Sequence, residues 1–249
     1  MVAETHDLRS FGRRRGRRLS ERQQRLLEFV LPPLRLDLSV RAPCNPSRLF
    51  DHGMREVWLE IGFGGGENLL WQAEHHPDIG LIGCEPFEEG IVKVLSSVEE
   101  RHLSNIRLWP DDARSVLRWL PPSSLSRVFV LFPDPWPKRR HQKRRLLSSP
   151  TLALVERALM PGGVLNVATD IPDYTRSIFM ALTTCPQLQW TAEGRRSWRE
   201  RPQDWPSTRY EQKATREGRQ SYWLEFVKSR DAARRDRRAG SPPTCNLGQ

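Results

Sequence analysis

The chain of 249 residues has room for one large or two small domains, and no linker-like composition shift interrupts its middle, which favours one. Its net charge of +10 and sequence pI of about 10.2, with the arginines clustered, point to a phosphate-rich partner more than to an acidic small molecule. The absence of an eighteen-residue apolar run gives no sign of a membrane span. Cys44, Cys84, Cys185 and Cys245 form no C-x-x-C pair and read as reduced thiols of a cytoplasmic protein, not as a zinc site or disulfide framework.

In chain order, residues 1–50 read as a basic extension, partly disordered when free, with Arg9, Arg13, Arg14, Arg15, Arg17, Arg18 and Arg22 in its first half. Glu28, Pro32 and Pro33 interrupt the apolar stretch that follows, so it is neither a secretion signal nor a clear element. Organised structure begins at 57–61, an apolar run that predicts a strand, followed by Gly62, Gly64 and Gly66 in a turn and by helical spacing over 67–73. Further strands are predicted at 80–84, ending at Glu85, and at 106–109, just before Asp111 and Asp112, with helices near 87–101 and 112–119 between them. The run 128–132 reads as a strand buried on both faces and closed by Pro133. A helix over 150–159 stops at Pro161-Gly162-Gly163, a strand over 164–169 is closed by Asp170, a helix covers 173–184, and a late strand occupies 222–227. Residues 195–219 read as a long functional loop, and 229–249 as a disordered basic tail. Strands alternating with helices predict an α/β fold of parallel strands joined by right-handed crossovers.

Two stretches carry chemistry. In the first, a G-x-G-x-G turn after a strand lets the backbone approach a nucleotide-like ligand closely. A dinucleotide fingerprint would place glycine at position 67, but Glu67 stands there and disfavours a pyrophosphate. A cationic nucleoside such as S-adenosylmethionine fits a turn rimmed by Glu60 and Glu67 better. Glu85, at the end of the second strand, sits where a carboxylate accepts ribose hydroxyls, and Asp112 is a candidate for the adenine amino group. A plain structural turn would also use these glycines. In the second stretch, prolines 133, 135 and 137 stiffen a loop that holds Asp134 at the carboxyl end of the central strand, where open α/β sheets bind ligands. Trp136 adds a flat apolar face, and six basic residues in the eight from Lys138 to Arg145 follow. A site for chemistry abutting a site for polyanions implies an enzyme acting on nucleic acid.

At these residues the chain resembles the bacterial tRNA (guanine-N7)-methyltransferase family. The motifs are Leu59-Glu60-Ile61-Gly62-Phe63-Gly64-Gly65-Gly66, Gly83-Cys84-Glu85, Phe132-Pro133-Asp134-Pro135-Trp136-Pro137-Lys138 with the basic run to Arg145, Ala168-Thr169-Asp170, and Thr208-Arg209-Tyr210-Glu211-Gln212-Lys213. They span about 57–227 in the family's order. The resemblance implies a Rossmann-like class I methyltransferase fold, with a mostly parallel seven-stranded sheet and helices on both faces, as one domain over 51–228. It implies S-adenosylmethionine as cofactor and guanosine 46 of the tRNA variable loop as target. It carries cofactor binding onto Glu60, Glu85, Asp112 and Asp134, to which the turn glycines Gly62, Gly64 and Gly66 belong. Asp134 takes the catalytic role, and Lys138, Asp170, Thr208, Arg209, Tyr210 and Glu211 take substrate contact. RNA contact falls on Arg140, His141, Gln142, Lys143, Arg144 and Arg145, and no metal is implied. Asp111 stands beside Asp112, so which of the two meets the adenine stays open, as does the choice between monomer and homodimer.

Guanine N7 carries no proton, so its lone pair attacks a sulfonium methyl without a strong base. A fixed carboxylate beside the purine then stabilises the positive charge that develops there, and Asp134 and Asp170 are the candidates. Asp170 would alternatively cap the following helix, and Lys138 or His141 would alternatively be solvated charges. A methyltransferase acting on another RNA, a protein or a small molecule, and a non-catalytic RNA-binding scaffold, are the competing readings.

Overall fold

The computed structural model describes residue 12 and residues 14–230, so the expectations for Arg9, Arg13, Cys245 and the tail beyond Arg230 lie outside the described residues. Seven strands, β1 (Glu56–Ile61), β2 (Ile79–Cys84), β3 (Ile106–Trp109), β4 (Leu125–Leu131), β5 (Leu159–Thr169), β6 (Leu188–Trp190) and β7 (Tyr222–Lys228), form one sheet in the order β3-β2-β1-β4-β5-β7-β6. The first five pair in parallel, while β7 runs antiparallel to β5 and β6 antiparallel to β7. The mostly parallel seven-stranded α/β fold is therefore as expected.

The helices are α1 (Glu21–Arg25), α2 (Leu31–Leu34), α3 (Glu67–His75), α4 (Glu88–Arg101), α5 (Ala113–Trp119), α6 (Ser149–Ala158), α7 (Pro172–Leu182) and α8 (Arg209–Arg216). They cover both faces of the sheet, and strand alternation assigns each side chain its layer. Val57, Leu59 and Ile61 of β1 and Val128 and Val130 of β4 pack with Val116, Val155 and Ile178 of α5, α6 and α7. Trp58 and Phe129 point the other way, into a second core with Leu69, Ile91 and Leu95 of α3 and α4. Each such side chain contributes about 1.5–3 kcal/mol on burial, and β4 is apolar on both faces because both carry a core.

Three stretches differ from the sequence reading. The described part of the 1–50 extension is folded: α1 runs through a π-helical turn (Leu26–Val30) into α2, with Leu26 and Leu31 buried in the α3–α4 core. Ser20 and Gln23 form a capping box there, and Pro32 and Pro33 sit in the first turn of α2, where a missing N–H is tolerated. Helix α6 stops at Ala158, and β5 begins at Leu159 because Leu159 pairs with Leu125 ahead of a bulge in the ladder. The loop predicted over 195–219 contains α8, and β6, of only three residues, lies just before it. Cys84 and Cys185 are free and buried.

The turn after β1 requires glycine at two positions for different reasons. Gly62 (φ 74°) has open space where a Cβ would go, whereas Gly66 (φ 84°), which starts α3, would place a Cβ 2.3 Å from Val94 Cγ2. Gly62→Ala is expected to destabilise by about 1–2 kcal/mol through backbone strain alone, and Gly66→Ala by about 1–3 kcal/mol more through overpacking. Thermal melts of the two variants check the order; equal melting temperatures would rule out the Val94 clash.

Candidate active site

β1 and β4 are neighbours, yet α3 leaves β1 for one face and α6 follows β4 on the other, so a crevice opens between their carboxyl ends. A cavity of about 370 Å³ lies there, walled by Gly62, Gly64, Glu85, Asp111, Asp112, Phe132, Asp134, Trp136, Arg144, Arg209 and Tyr210 among others. The structure thus gathers residues from the ends of four strands and from α8.

Glu85 ties this wall together. Its Oε2 accepts the Gly64 N–H at 2.8 Å and its Oε1 the Phe87 N–H at 2.9 Å, so one carboxylate fixes the glycine turn and the entry to α4. Burial raises its pKa, opposed by those two donors and by Arg209. Glu60 stands behind the turn, outside the cavity wall: alternation along β1 points it toward α3, where it is 3% exposed and accepts from Asn68 Nδ2 at 2.9 Å. Burial pushes its carboxyl up to about 8, with the Asn68 hydrogen bond opposing and the charges of Glu67 and Glu85 adding. Gly66 likewise lies off the wall, shaping the turn from below α3.

Asp112 and Asp111 both line the cavity, each with a cation. Asp112 caps α5 by accepting the Arg114 N–H at 2.9 Å and grips the Arg114 guanidinium; Asp111 pairs with Arg14 at 2.7 Å. Arg14 belongs to a strap across the rim, where its carbonyl accepts the Glu88 N–H at 3.0 Å and the Arg17 N–H donates to Glu89 at 2.8 Å.

Asp134 differs from these acids. No hydrogen bond or ion pair engages its carboxylate among the described residues, and partial desolvation by the wall raises its pKa. Two residues in left-handed backbone, Phe132 (φ 50°) and Trp136 (φ 42°), flank it. Such a conformation costs a non-glycine residue about 1–2 kcal/mol and persists only where surrounding structure enforces it. Here the Phe132 N–H donates to Ala168 O at 2.7 Å, holding the strand end to β5 while the chain turns outward.

The remaining predicted residues divide. Thr208 caps α8 by accepting the Glu211 N–H at 3.2 Å, Glu211 pairs with Arg201 at 3.2 Å, and Arg209 reaches Glu67 at 3.6 Å. Tyr210 packs over Gly64, so the start of α8 roofs the glycine turn. Asp170 lies off the cavity wall and is held by Arg219 at the foot of β7; it does not cap α7, whose N-cap is Ile171. In the basic run, Lys138, Arg140 and Lys143 are exposed. Arg144 lies 5.1 Å from the Trp136 ring centroid, and His141 meets the same ring edge-on, its pKa lowered by desolvation and then by neighbouring cations. Gln142 donates to Asp173 at 3.1 Å.

Arg145 departs from its expected place among RNA contacts. It is 5% exposed, paired with Asp173, bonded to Ser177 and Pro135 O, and set over the Tyr174 ring. It braces the proline loop against α7 and is closed to a phosphate. The sequence reading missed Arg14, Arg114, Arg201 and Arg219, the partners of four site acids; Arg14 and Arg219 act across 97 and 49 residues, a distance that leaves no local signal. Among the described residues no group of three or more His, Cys, Asp or Glu is placed to hold a metal, and no helix is long and apolar enough to cross a membrane.

Residues 54–224 match a family model described as "Putative methyltransferase". A tRNA (guanine-N(7)-)-methyltransferase of Rhodospirillum rubrum is 48% identical over 243 residues, covering 96% of this chain and 92% of that one. Its namesake from Chelativorans is 45% identical, covering 91% of this chain and all of that one, and that of Rhizobium meliloti is 46% identical, covering 87% and 93%. Among solved structures, the 16S rRNA methyltransferase KamB superposes with a TM-score of 0.50 at 14% identity over 71% of this chain and 89% of that one, a likeness of fold.

The carboxyl of Glu60 makes stability depend on pH. Its folded value, about 8, lies above the ordinary 4.5, so between them the folded chain keeps a proton that the unfolded chain releases, and stability falls as pH rises through this window. Glu60→Gln is expected to flatten that decline. Melts from about pH 5 to about pH 8 test it, and parallel curves for variant and parent would refute the assignment.

Proposed function

The chain belongs to the tRNA (guanine-N7)-methyltransferase family, and from that premise we propose that it transfers a methyl group from S-adenosylmethionine to N7 of guanosine 46 in the tRNA variable loop, as a cytoplasmic enzyme. The observation that carries the reading is Asp134: an unpaired carboxylate at the mouth of a cavity rimmed by acids, with Trp136 and Arg144 beside it and exposed cations beyond.

The residues present fit such a methyl donor. Glu85 and the unpaired Asp134 on the cavity wall suit a ligand bearing a sulfonium and an ammonium, while Arg114, Arg144 and Arg209 on the same wall offset part of the acidic charge. Glu85 keeps lone pairs for ribose hydroxyls after accepting two backbone N–H groups. Asp112 or Asp111 takes the adenine amino group, Gly62 and Gly64 give close backbone approach, and Glu60 supports the turn from behind. Bound there, the donor supplies an electrophilic methyl group.

The chain's own residues orient and stabilise. Asp134, with no cation to neutralise it, lowers the energy of positive charge developing on the guanine. Trp136 offers a stacking face for the base. Arg209 and Tyr210, with Thr208 and Glu211 setting the start of α8, roof the site and hold the base in line. Asp170, fixed by Arg219, accepts from the guanine edge, and Lys138, Arg140, Lys143 and Arg144 meet tRNA phosphates.

Asp134→Ala is expected to lower methyl transfer to tRNA by at least ~100-fold with the fold retained, while Glu85→Ala weakens cofactor binding without changing tRNA affinity. Because desolvation raises the Asp134 pKa, activity should fall on acidification at a higher pH than for an ordinary aspartate. Turnover by a folded Asp134→Ala protein near that of the parent, or methylation mapped to another nucleotide, would sink the reading.

Lys143 and Arg145 separate two kinds of cation. Lys143→Ala should flatten the dependence of log tRNA affinity on log salt by about 0.7–0.9 at unchanged stability. Arg145→Ala should leave Asp173 with Gln142 alone, strip the guanidinium from the Tyr174 ring and destabilise by about 1–2 kcal/mol. If Arg145→Ala instead flattened the salt slope at full stability, the brace would be an RNA contact after all.

A further inference from the structure

Residues 191–208 lead around the sheet edge from β6 to α8. Within them Trp198 ends a short 3-10 turn (Arg196–Trp198), and its ring stacks on Tyr222, 12° from parallel with centroids 5.9 Å apart. The guanidinium of the next residue, Arg199, lies 4.2 Å from the Trp198 centroid and 4.5 Å from that of Tyr222. Its Nε is buried without a hydrogen-bond partner among the described residues, and no described carboxylate pairs with it. Arg107, Arg114 and Arg219, which are also covered in part or fully, each meet an acid. Two rings thus fix the plane of a cation whose counter-charge the described chain does not supply. A planar fork oriented in this way matches the two oxygens of a phosphodiester.

Its position connects it to the site. Gln220 Nε2 donates to Arg199 O at 3.4 Å, the neighbouring Arg219 holds Asp170, and Tyr222 stands opposite Thr169 in the ladder. Arg199 therefore lies on the carboxyl edge of the sheet beyond Asp170, on the same rim as the cavity, with Arg195 and Arg196 exposed nearby. From the cavity the order along this rim is the basic run after β4, Asp170 after β5, then Arg199 beside β7.

We infer that Arg199 binds a backbone phosphate of the tRNA, extending the RNA track from the basic run past Asp170 to the β7 edge, with Trp198 and Tyr222 as the rings that hold it ready. The inference rests on tRNA being the substrate. Phosphate contacts spaced along one edge fix the register of the strand that presents its base.

The test uses the full chain with Arg199→Gln and Arg199→Lys, and reads tRNA affinity across a salt series, S-adenosylmethionine affinity, and kcat and KM for methyl transfer. Arg199→Gln should weaken tRNA binding by about tenfold and flatten the slope of log affinity against log salt by about 0.7–0.9. It should raise KM for tRNA more than it lowers kcat. Arg199→Lys, which keeps the charge and loses the fork, should keep the slope and recover part of the affinity. Parental affinity and slope in Arg199→Gln would overturn the inference and leave the arginine a latch between two rings. Joint loss of melting temperature, cofactor binding and tRNA binding in both variants would overturn it equally. The parent protein alone tests the premise: tight, salt-dependent tRNA binding without methylation of guanine N7 sinks the proposed reaction and leaves the Arg199 arms readable.

Discussion

The opposite departures of the chain from β1 and β4 are the constraint on which the site depends. Adjacent parallel strands normally close against each other through their hydrogen bonds, but their following helices cannot occupy the same face here, since α3 packs on Trp58's side and α6 on Val128's. The carboxyl ends are therefore left uncovered, and whatever follows each strand becomes wall. After β1 that is a turn of three left-handed glycines; after β4 it is a proline loop carrying Asp134. Neither element would have a cavity to face if the two crossovers ran on one side.

On the wall of that crevice and just behind it, the acids are sorted by what accompanies them. Asp111 and Asp112 have arginines, Glu85 has backbone donors, and Glu60 has an amide and a dry interior that favours its neutral form. Asp134 has only the desolvating wall. A carboxylate left uncompensated in the resting chain is the one whose field acts fully on charge arriving later, and compensated neighbours keep the cavity from accumulating repulsion it could not hold.

What could be read in the residues follows from how each element is stabilised. β1, β2 and the later parts of β4 and β5 are buried on both faces and so appear as apolar runs, broken only by Glu60 in β1 and Asn166 in β5, and the glycine turn and the Pro-Asp-Pro loop announce themselves by backbone chemistry. β6 has three residues and only Leu188 buried, too short for a period. The α1–α2 segment hid behind Pro32-Pro33 and a charge-rich surface, because its helicity depends on Leu26 and Leu31 docking on a core made elsewhere. Arg145 looked like its neighbours because a charge run does not say which member faces Tyr174. The ion pairs that set Asp111 and Asp170 come from distant segments, and pairwise long-range contacts leave no trace in a single local pattern.

The strap across the rim gives the cavity two walls of unequal cooperativity. Its floor is part of the sheet: the Gly62 N–H is bonded to Cys84 O, and it exchanges with solvent only when the central strands separate. Its rim is closed by Arg14, whose carbonyl holds the Glu88 N–H and whose side chain reaches Asp111 at the surface. Detaching that contact exposes no core, so the rim belongs to a smaller opening unit than the floor. A ligand held between them is thus bounded on one side by sheet amides whose opening requires strands to part and on the other by a surface contact whose opening does not.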